Sequence, residues 1–268
     1  MQIEKMHVCG NDFCLVLNDA AYDYSRLAKK ICNRNTGIGA DGLIVVKKEP
    51  LEMILYNPDG SRNILSANAM LCFIKYCKDH NIIEKNKLSF YVASHKKTAE
   101  ILSNYPFLAK INIGEASFNN SMLYVSDCID SFGRLIKLND RRPTIYSLSL
   151  GAVHTIIFVE DLNSTILNYA HELSTHEIFN RGTNVSFVKI IDRCTFKIKS
   201  YMLNVGWVKC SGLASCAAAI AANKLRLVDN KITASYEDGN LDMSIEKNKI
   251  NIIGNASKVF ECDYKEEI

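Results

Sequence analysis

The chain has 268 residues, of which 48% are hydrophobic and 23% charged, and its net charge is +3. This composition is typical of a globular protein with a sizeable core. Its basic residues are scattered and nearly balanced by acids, which argues against a nucleic-acid or membrane-surface partner. The longest apolar stretch, residues 213–222, is too short to span a membrane, and residues 1–13 lack the apolar run of an export signal. We therefore expect a cytoplasmic protein.

The ten cysteines are interpreted as thiols rather than disulfides. A chain without an export signal stays among reduced thiols, and several of these cysteines lie inside apolar runs, as small buried side chains do. No CxxC pair occurs, and no histidine lies at ligand spacing from a cysteine pair. The sequence therefore predicts no metal site.

Strands are predicted where Val, Ile, Phe and Tyr are concentrated between turn signals. In chain order they cover residues 12–17, 42–47, 53–56, 88–92, 154–159, 185–190, 195–201 and 241–245. A helix over 21–33 is expected after Asp19, which we take as its N-cap. A last strand over 256–264 is expected to return to the first half of the chain.

Two further helices are predicted over residues 66–80 and 211–225, and both are apolar on nearly all sides in their first ten residues. Such helices are buried. Each begins with small or polar residues, Ser66-Ala67-Asn68-Ala69 and Ser211-Gly212. The N–H groups and the positive end of the helix dipole can bind an anion there. Alternatively, the small residues only permit close packing.

The two halves of the chain contain similar sequence motifs. Residues 10–16, 39–47 and 66–72 resemble 154–159, 182–189 and 211–216, in the same order and at a nearly constant offset. We predict an α/β fold of two pseudo-symmetric halves, each a mixed or antiparallel sheet wrapped round a central buried helix. The first half is residues 1–116, completed by 256–268, and the second is 117–255.

Several motifs resemble those of the diaminopimelate epimerase family, in that family's order and spacing. They cover residues 5–13, 34–42, 56–61, 150–154 and 182–187, of which 34–42 (RNTGIGADG) is the most specific. The resemblance implies an active site between the halves and an amino-acid racemase or epimerase that uses no pyridoxal phosphate or other cofactor. Its partner would be a small-molecule amino acid, and the sequence leaves open whether the chain forms a homodimer.

In that family one cysteine thiolate removes the α-proton and a second cysteine thiol protonates the opposite face of the amino acid. The resemblance places these catalytic positions on Ser66 and Ser211, with Cys210 one residue earlier. It places the substrate carboxylate near the N–H groups of Ala67, Asn68, Gly212 and Leu213. A serine hydroxyl is a far weaker acid than a thiol, so we expect very poor two-base catalysis.

Three interpretations of the serines are open. Both were introduced to inactivate an enzyme, or the chain is a natural amino-acid-binding homologue without turnover, or Cys210 is the second base. A dehydratase or isomerase on the same fold is a further class, because it also begins with α-proton removal.

The predicted substrate pocket has lost charge relative to the family. A Glu-Arg pair that holds the far end of diaminopimelate falls on Met202 and Leu203, and a further Glu falls on Trp207. Four asparagines of the family's site remain, namely Asn11, Asn57, Asn68 and Asn184. An unpaired charge in apolar surroundings is costly, so a neutral amino acid is expected. The alternative is that the substituted side chains point into the core.

Overall fold

The computed structural model describes residues 1–123, 125 and 130–265. The chain divides into two compact units, one of Met1–Asn112 with Ile253–Ile268 and one of Ile113–Ile252. Within the described residues, no helix has both the length and the apolar character needed to cross a membrane.

The first part of the chain forms eight strands and two helices: β1 (Gln2–Val8), β2 (Asn11–Leu17), α1 (Tyr24–Ile31), β3 (Gly42–Lys47), β4 (Glu52–Tyr56), β5 (Arg62–Asn63), α2 (Ala67–Asp79), β6 (Lys87–Val92), β7 (His95–Asn104) and β8 (Phe107–Glu115). The rest forms α3 (Asn120–Leu123), β9 (Phe132–Leu135), β10 (Thr144–Ser149), β11 (Val153–Phe158), a 3₁₀ helix (Thr165–Tyr169), α4 (Ala170–Ser174), β12 (Asn184–Ile190), β13 (Thr195–Met202), β14 (Gly206–Val208), α5 (Gly212–Lys224), β15 (Lys231–Tyr236), β16 (Gly239–Glu246), β17 (Lys249–Gly254) and β18 (Ser257–Asp263).

The two units pair their strands in the same order. In the first, β1–β2 is antiparallel, β2–β3 parallel, β3–β4 antiparallel, β4–β6 parallel and β6–β7 antiparallel. In the second, β10–β11, β11–β12, β12–β13, β13–β15 and β15–β16 repeat that series. The predicted α/β fold of two pseudo-symmetric halves is thereby confirmed. The last strand, β18, pairs antiparallel with β1 from Gln2↔Asp263 to His7↔Ser257 and so joins the first unit.

Each unit contains a central buried helix, α2 or α5, as predicted. Both helices have 13 residues, and ten of these are buried in each. Helix α5 buries six alanines, whose small side chains let the backbone of neighbouring strands approach closely. The terminal residues of the predicted ranges, 66, 80, 211 and 225, are the caps of the two helices.

Helix α1 is shorter than predicted, and its N-cap is Asp23 rather than Asp19. The Asp23 carboxylate accepts hydrogen bonds from the N–H groups of Ser25 and Arg26. Asp19 caps a preceding turn by accepting from Ala21, while its own N–H donates to the hydroxyl of the buried Tyr24. This contact with Tyr24 keeps residues 19–22 out of the helix.

A charged network joins β1, β2 and the segment before β3 in the first unit. The Asp12 side chain is 12% exposed and accepts hydrogen bonds from Arg34 Nη1 and Nη2 at 3.1 and 2.7 Å. Lys5 Nζ lies 3.0 Å from Asp12 Oδ2, and Arg34 also reaches Asp41 at 2.7 Å. Burial alone would raise the pKa of Asp12, but Arg34 and Lys5 outweigh it and hold that pKa below its ordinary value.

A tyrosine fixes the start of α5 in the second unit. The Tyr236 hydroxyl on β15 accepts from the Ser211 N–H at 3.3 Å and lies 3.1 Å from the Ser211 carbonyl oxygen. It also lies 2.6 Å from Oγ of Ser215, one turn into the helix. Because Ser215 is fully buried, this hydroxyl satisfies a polar group that water does not reach.

The charged network predicts a pH-dependent stability. Arg34→Gln removes a charged pair of hydrogen bonds from Asp12, so the free energy of unfolding at neutral pH should fall by about 1–3 kcal/mol. Folding lowers the pKa of Asp12 from 3.8, so its contribution is present above that value and is lost as the pH falls through the folded-state pKa. The difference between variant and wild type, measured by urea unfolding, should therefore shrink in acid.

Arg193→Gln is the matched control, because Arg193 and its partner Asp229 are both exposed. Its removal should change stability little at any pH. If Arg34→Gln lowered the free energy of unfolding by the same amount down to strongly acidic pH, the role assigned to Asp12 would be contradicted.

The tyrosine contact predicts that Tyr236→Phe lowers the free energy of unfolding by about 1–3 kcal/mol, because the buried Ser215 hydroxyl loses its partner. Tyr105→Phe, at a side chain that is 95% exposed, should have no effect in the same urea titration. Equal stabilities of the Tyr236→Phe variant and the wild type would show that the hydroxyl is dispensable.

Candidate functional site

Ser66 and Ser211 occupy the same place in their units, as N-caps of the two central helices. Their backbone angles nearly coincide, with φ/ψ of −142/117° for Ser66 and −139/110° for Ser211. Ser66 Oγ accepts from the N–H of Ala69 at 3.2 Å, and Ser211 Oγ accepts from Ala214 at 3.3 Å. Both hydroxyls therefore act as helix caps.

The first turns of both helices are more buried than their caps. Ala67 and Asn68 are 1 and 2% exposed, Gly212 is buried, and Leu213 is 8% exposed. The N–H groups of a first helical turn have no partner inside the helix, and the helix dipole makes them attractive to an anion. Each helix start thus has the chemistry to hold a carboxylate.

In the first unit, the predicted asparagines converge on the start of α2. Asn68 Nδ2 donates to Asn11 Oδ1 at 2.9 Å, and Asn11 Nδ2 donates to Asp41 at 2.6 Å. Asn57 accepts from Asn63, whose own side-chain oxygen accepts from the N–H of Leu65. Two chains of hydrogen bonds therefore end beside Ser66.

In the second unit, Asn184 connects the start of β12 to the hairpin of β13 and β14. Asn184 Oδ1 accepts from the N–H of Leu203 at 3.0 Å. The two Cδ atoms of Leu203 occupy the space beside Gly182, where a Cβ would come within 2.8 Å of them. Met202 and Leu203 are both half-buried, so the hairpin presents two apolar side chains here.

The Trp207 ring lies on the sheet face that carries Tyr201 and Phe187. Its centroid is 5.5 Å from that of Tyr201 and 6.0 Å from that of Phe187. Ser186 and Ser200, which share a buried hydrogen bond, point to the opposite face. Trp207 is 49% exposed, and its contact with a substrate stays a prediction.

His154 lies on β11, opposite Asn184 in the parallel pair with β12. Its side chain is fully buried, and neither ring nitrogen has a hydrogen-bond partner in the described part of the chain. Burial lowers the pKa of His154 to about 4. The imidazole is therefore neutral at neutral pH.

The cysteines of the two central helices are poor candidates for a catalytic base. Burial raises the pKa of Cys72, Cys77 and Cys216 well above that of an exposed thiol, so they stay protonated. Cys210 is 2% exposed and precedes the N-cap of α5 by one residue. The position equivalent to Ser66 is therefore Ser211.

The two capping hydroxyls have no activating partner among residues 1–123, 125 and 130–265. No histidine or carboxylate side chain is hydrogen-bonded to Oγ of Ser66 or Ser211 there. The same residues contain no cluster of three or more His, Cys, Asp or Glu side chains that could hold a metal ion. An unactivated serine can donate and accept hydrogen bonds but is a weak base.

Three residues at the helix starts were not predicted. Asn63 lies close to the motif at 56–61 and could have been found by asking which polar group precedes the helix. Tyr236 and Ser215 are distant from each other in sequence, and no local pattern links a strand tyrosine to a helix start. Only the tertiary structure shows that they hold Ser211.

Known proteins resemble this chain along nearly its whole length. Residues 3–119 and 146–259 match the family profile described as diaminopimelate epimerase. The diaminopimelate epimerase of Clostridium perfringens is 33% identical over 272 residues, which cover 98% of each chain.

Among solved structures, a phenazine biosynthesis protein of the PhzF family from Bacillus anthracis superposes with a TM-score of 0.74 at 14% identity, covering 99% of both chains. A hydroxyproline epimerase from Agrobacterium vitis, with bound trans-4-hydroxy-L-proline, gives 0.70 at 12% identity, covering 98% of this chain and 91% of that one. These two likenesses show the fold, whereas the profile and the curated relative show the lineage. The chain is therefore a member of the diaminopimelate epimerase family.

Proposed function

We propose that this chain binds a neutral amino acid at the starts of α2 and α5, at the site of a cofactor-independent, two-base racemase or epimerase. We further propose that serine at both base positions leaves it with very little racemase activity. One observation carries the proposal: Ser66 and Ser211 are N-caps with matching backbone angles and matching hydrogen bonds.

The proposed binding mode uses backbone groups. The substrate carboxylate would accept hydrogen bonds from N–H groups at the two helix starts, near Ala67, Asn68, Gly212 and Leu213, where the helix dipoles favour negative charge. Asn11 supports this arrangement indirectly, because it holds the Asn68 side chain. The half-buried Met202 and Leu203 favour a substrate whose far end carries no charge.

The proposed chemistry needs an acid–base group on each face of Cα. Removal of the α-proton leaves a planar, carbanion-like centre, and inversion requires that the new proton arrive from the opposite side. A thiol at a helix N-terminus has a lowered pKa and suits both roles. A serine hydroxyl with no hydrogen-bonded base does not, so binding without inversion is expected of the chain as it stands.

Restoring both thiols should therefore create racemase activity. We expect Ser66→Cys/Ser211→Cys to invert a neutral L-amino acid at least about 10²-fold faster than either single variant, which is the usual contribution of one general acid or base. A single thiol can return the proton to the face it left and should give exchange with solvent without inversion. Circular dichroism of a panel of neutral L-amino acids measures inversion, and deuterium uptake from D₂O measures exchange.

Ser66→Cys/Ser89→Cys is the control, since it adds two thiols but only one at an N-cap, and Ser89 is exposed. If the Ser66→Cys/Ser211→Cys protein binds a neutral amino acid yet neither exchanges nor inverts it, the base positions are wrong, and Cys210 becomes the next residue to replace. Exchange accompanied by loss of water would favour a dehydratase on the same fold.

Met202 and Leu203, at the hairpin of β13 and β14, predict a preference for neutral over charged amino acids. By isothermal titration calorimetry the wild-type chain should bind a neutral L-amino acid at least about tenfold more tightly than diaminopimelate, because a buried charge without a partner costs more than 1.4 kcal/mol. Leu203→Arg should narrow or reverse that ratio. Leu227→Arg, at an exposed position of the same unit, should leave it unchanged. Tighter binding of diaminopimelate by the wild type would refute a neutral-substrate pocket.

A further inference from the structure

A cavity lies wholly in the second unit, over strands β12, β13 and β15. Its volume is about 690 Å³, and it is bounded by the segment after β11 and by the β13–β14 hairpin. We call it the lysine groove, after Lys189, Lys197 and Lys199, which line it together with Trp207. None of the residues proposed as bases or as carboxylate-binding groups lines this groove.

The strand register places the three lysines on one face. Lys189 lies directly opposite Lys197 in the antiparallel β12–β13 pair, and Lys199 is two residues further along the same strand. Like charges opposite each other on neighbouring strands are destabilising. An anion bound between the lysines would relieve this repulsion.

The three lysines have no counter-ion within the described residues. No carboxylate lies within ion-pair distance of Lys189, Lys197 or Lys199 in that part of the chain, whereas Lys209 at the rim of the groove pairs with Asp238 at 3.4 Å. Asp161 and Glu237 also line the groove, but neither forms an ion pair with the three lysines in the described residues, so the lysines remain available to an anion.

An aromatic surface stands beside this charge. Trp207 is 49% exposed, and its ring is held from behind by the edge-to-face contact with Tyr201 and by Phe187. A fixed, half-exposed indole is a good surface for a planar ring. Its fluorescence also reports on this groove alone, because Trp207 is the single tryptophan of the chain.

We propose that the lysine groove binds a small aromatic anion, with its carboxylate or phosphate among the three lysines and its ring against Trp207. The volume lies within the range of about 300–1,000 Å³ that is usual for small-molecule sites. Trp207 thereby belongs to the groove rather than to the proposed amino-acid site, and binding here does not depend on the serines at the helix starts.

Trp207 fluorescence tests the proposal in the intact wild-type protein. Phenyl phosphate and benzoate serve as aromatic probes with the two acid groups, and inorganic phosphate serves as the anion without a ring. We expect a saturable change with at least one aromatic probe. Added salt should weaken the binding, because Lys197 is exposed and Lys189 and Lys199 are only half-buried. A neutral amino acid should not compete.

Charge and ring are then removed separately. Lys197→Gln/Lys199→Gln should weaken binding of the aromatic probe by about tenfold, the effect of losing two ionic contacts that solvent reaches. Lys231→Gln/Lys249→Gln, at exposed lysines outside the groove, should leave the affinity unchanged. Trp207→Ala, followed by calorimetry, should reduce the affinity for the aromatic probe to that for inorganic phosphate. Circular dichroism confirms that each variant is folded. No saturable response in the wild type, an unchanged affinity in Lys197→Gln/Lys199→Gln, or competition by a neutral amino acid would overturn the proposal.

Discussion

The central helix of each unit is buried along most of its length, so the N–H groups of its first turn must be satisfied by the protein or offered to a ligand. This constraint explains the residues gathered around both helix starts. Serine caps accept one N–H each, an asparagine chain holds the first turn of α2, and Tyr236 holds that of α5. The remaining N–H groups are those to which we assign the carboxylate.

Serine and cysteine fit this position in different ways. A hydroxyl is the better hydrogen-bond acceptor and so the better cap, whereas a thiol is a weaker cap that the helix dipole converts into a usable base. A chain with hydroxyls at both positions would therefore keep the helix starts and the proposed anion site but would lack an acid–base pair. The caps Ser66 and Ser211 are thus compatible with the proposed binding without turnover.

Much of this architecture could be predicted from the sequence, because strand and helix patterns are local. The two buried helices and their caps could be predicted, since a stretch that is apolar on all sides and follows a polar turn is typical of a buried helix. Features that depend on distant residues were not found. Asp19 and Asp23 are equally good local N-caps, and only the contact of Tyr24 with Asp19 decides between them; Tyr236 meets Ser211 across 25 residues.

Asp12 in the first unit and His154 in the second give the two units different responses to acid. A buried histidine whose pKa falls from 6.5 to about 4 binds its proton more readily in the unfolded chain, so the second unit loses stability as the pH falls through that window. Because folding lowers the pKa of Asp12 from 3.8, the first unit loses the stability that this carboxylate contributes only below about that pH. A duplicated fold has in this way acquired two separate acid thresholds, one in each unit, from two buried side chains at different positions.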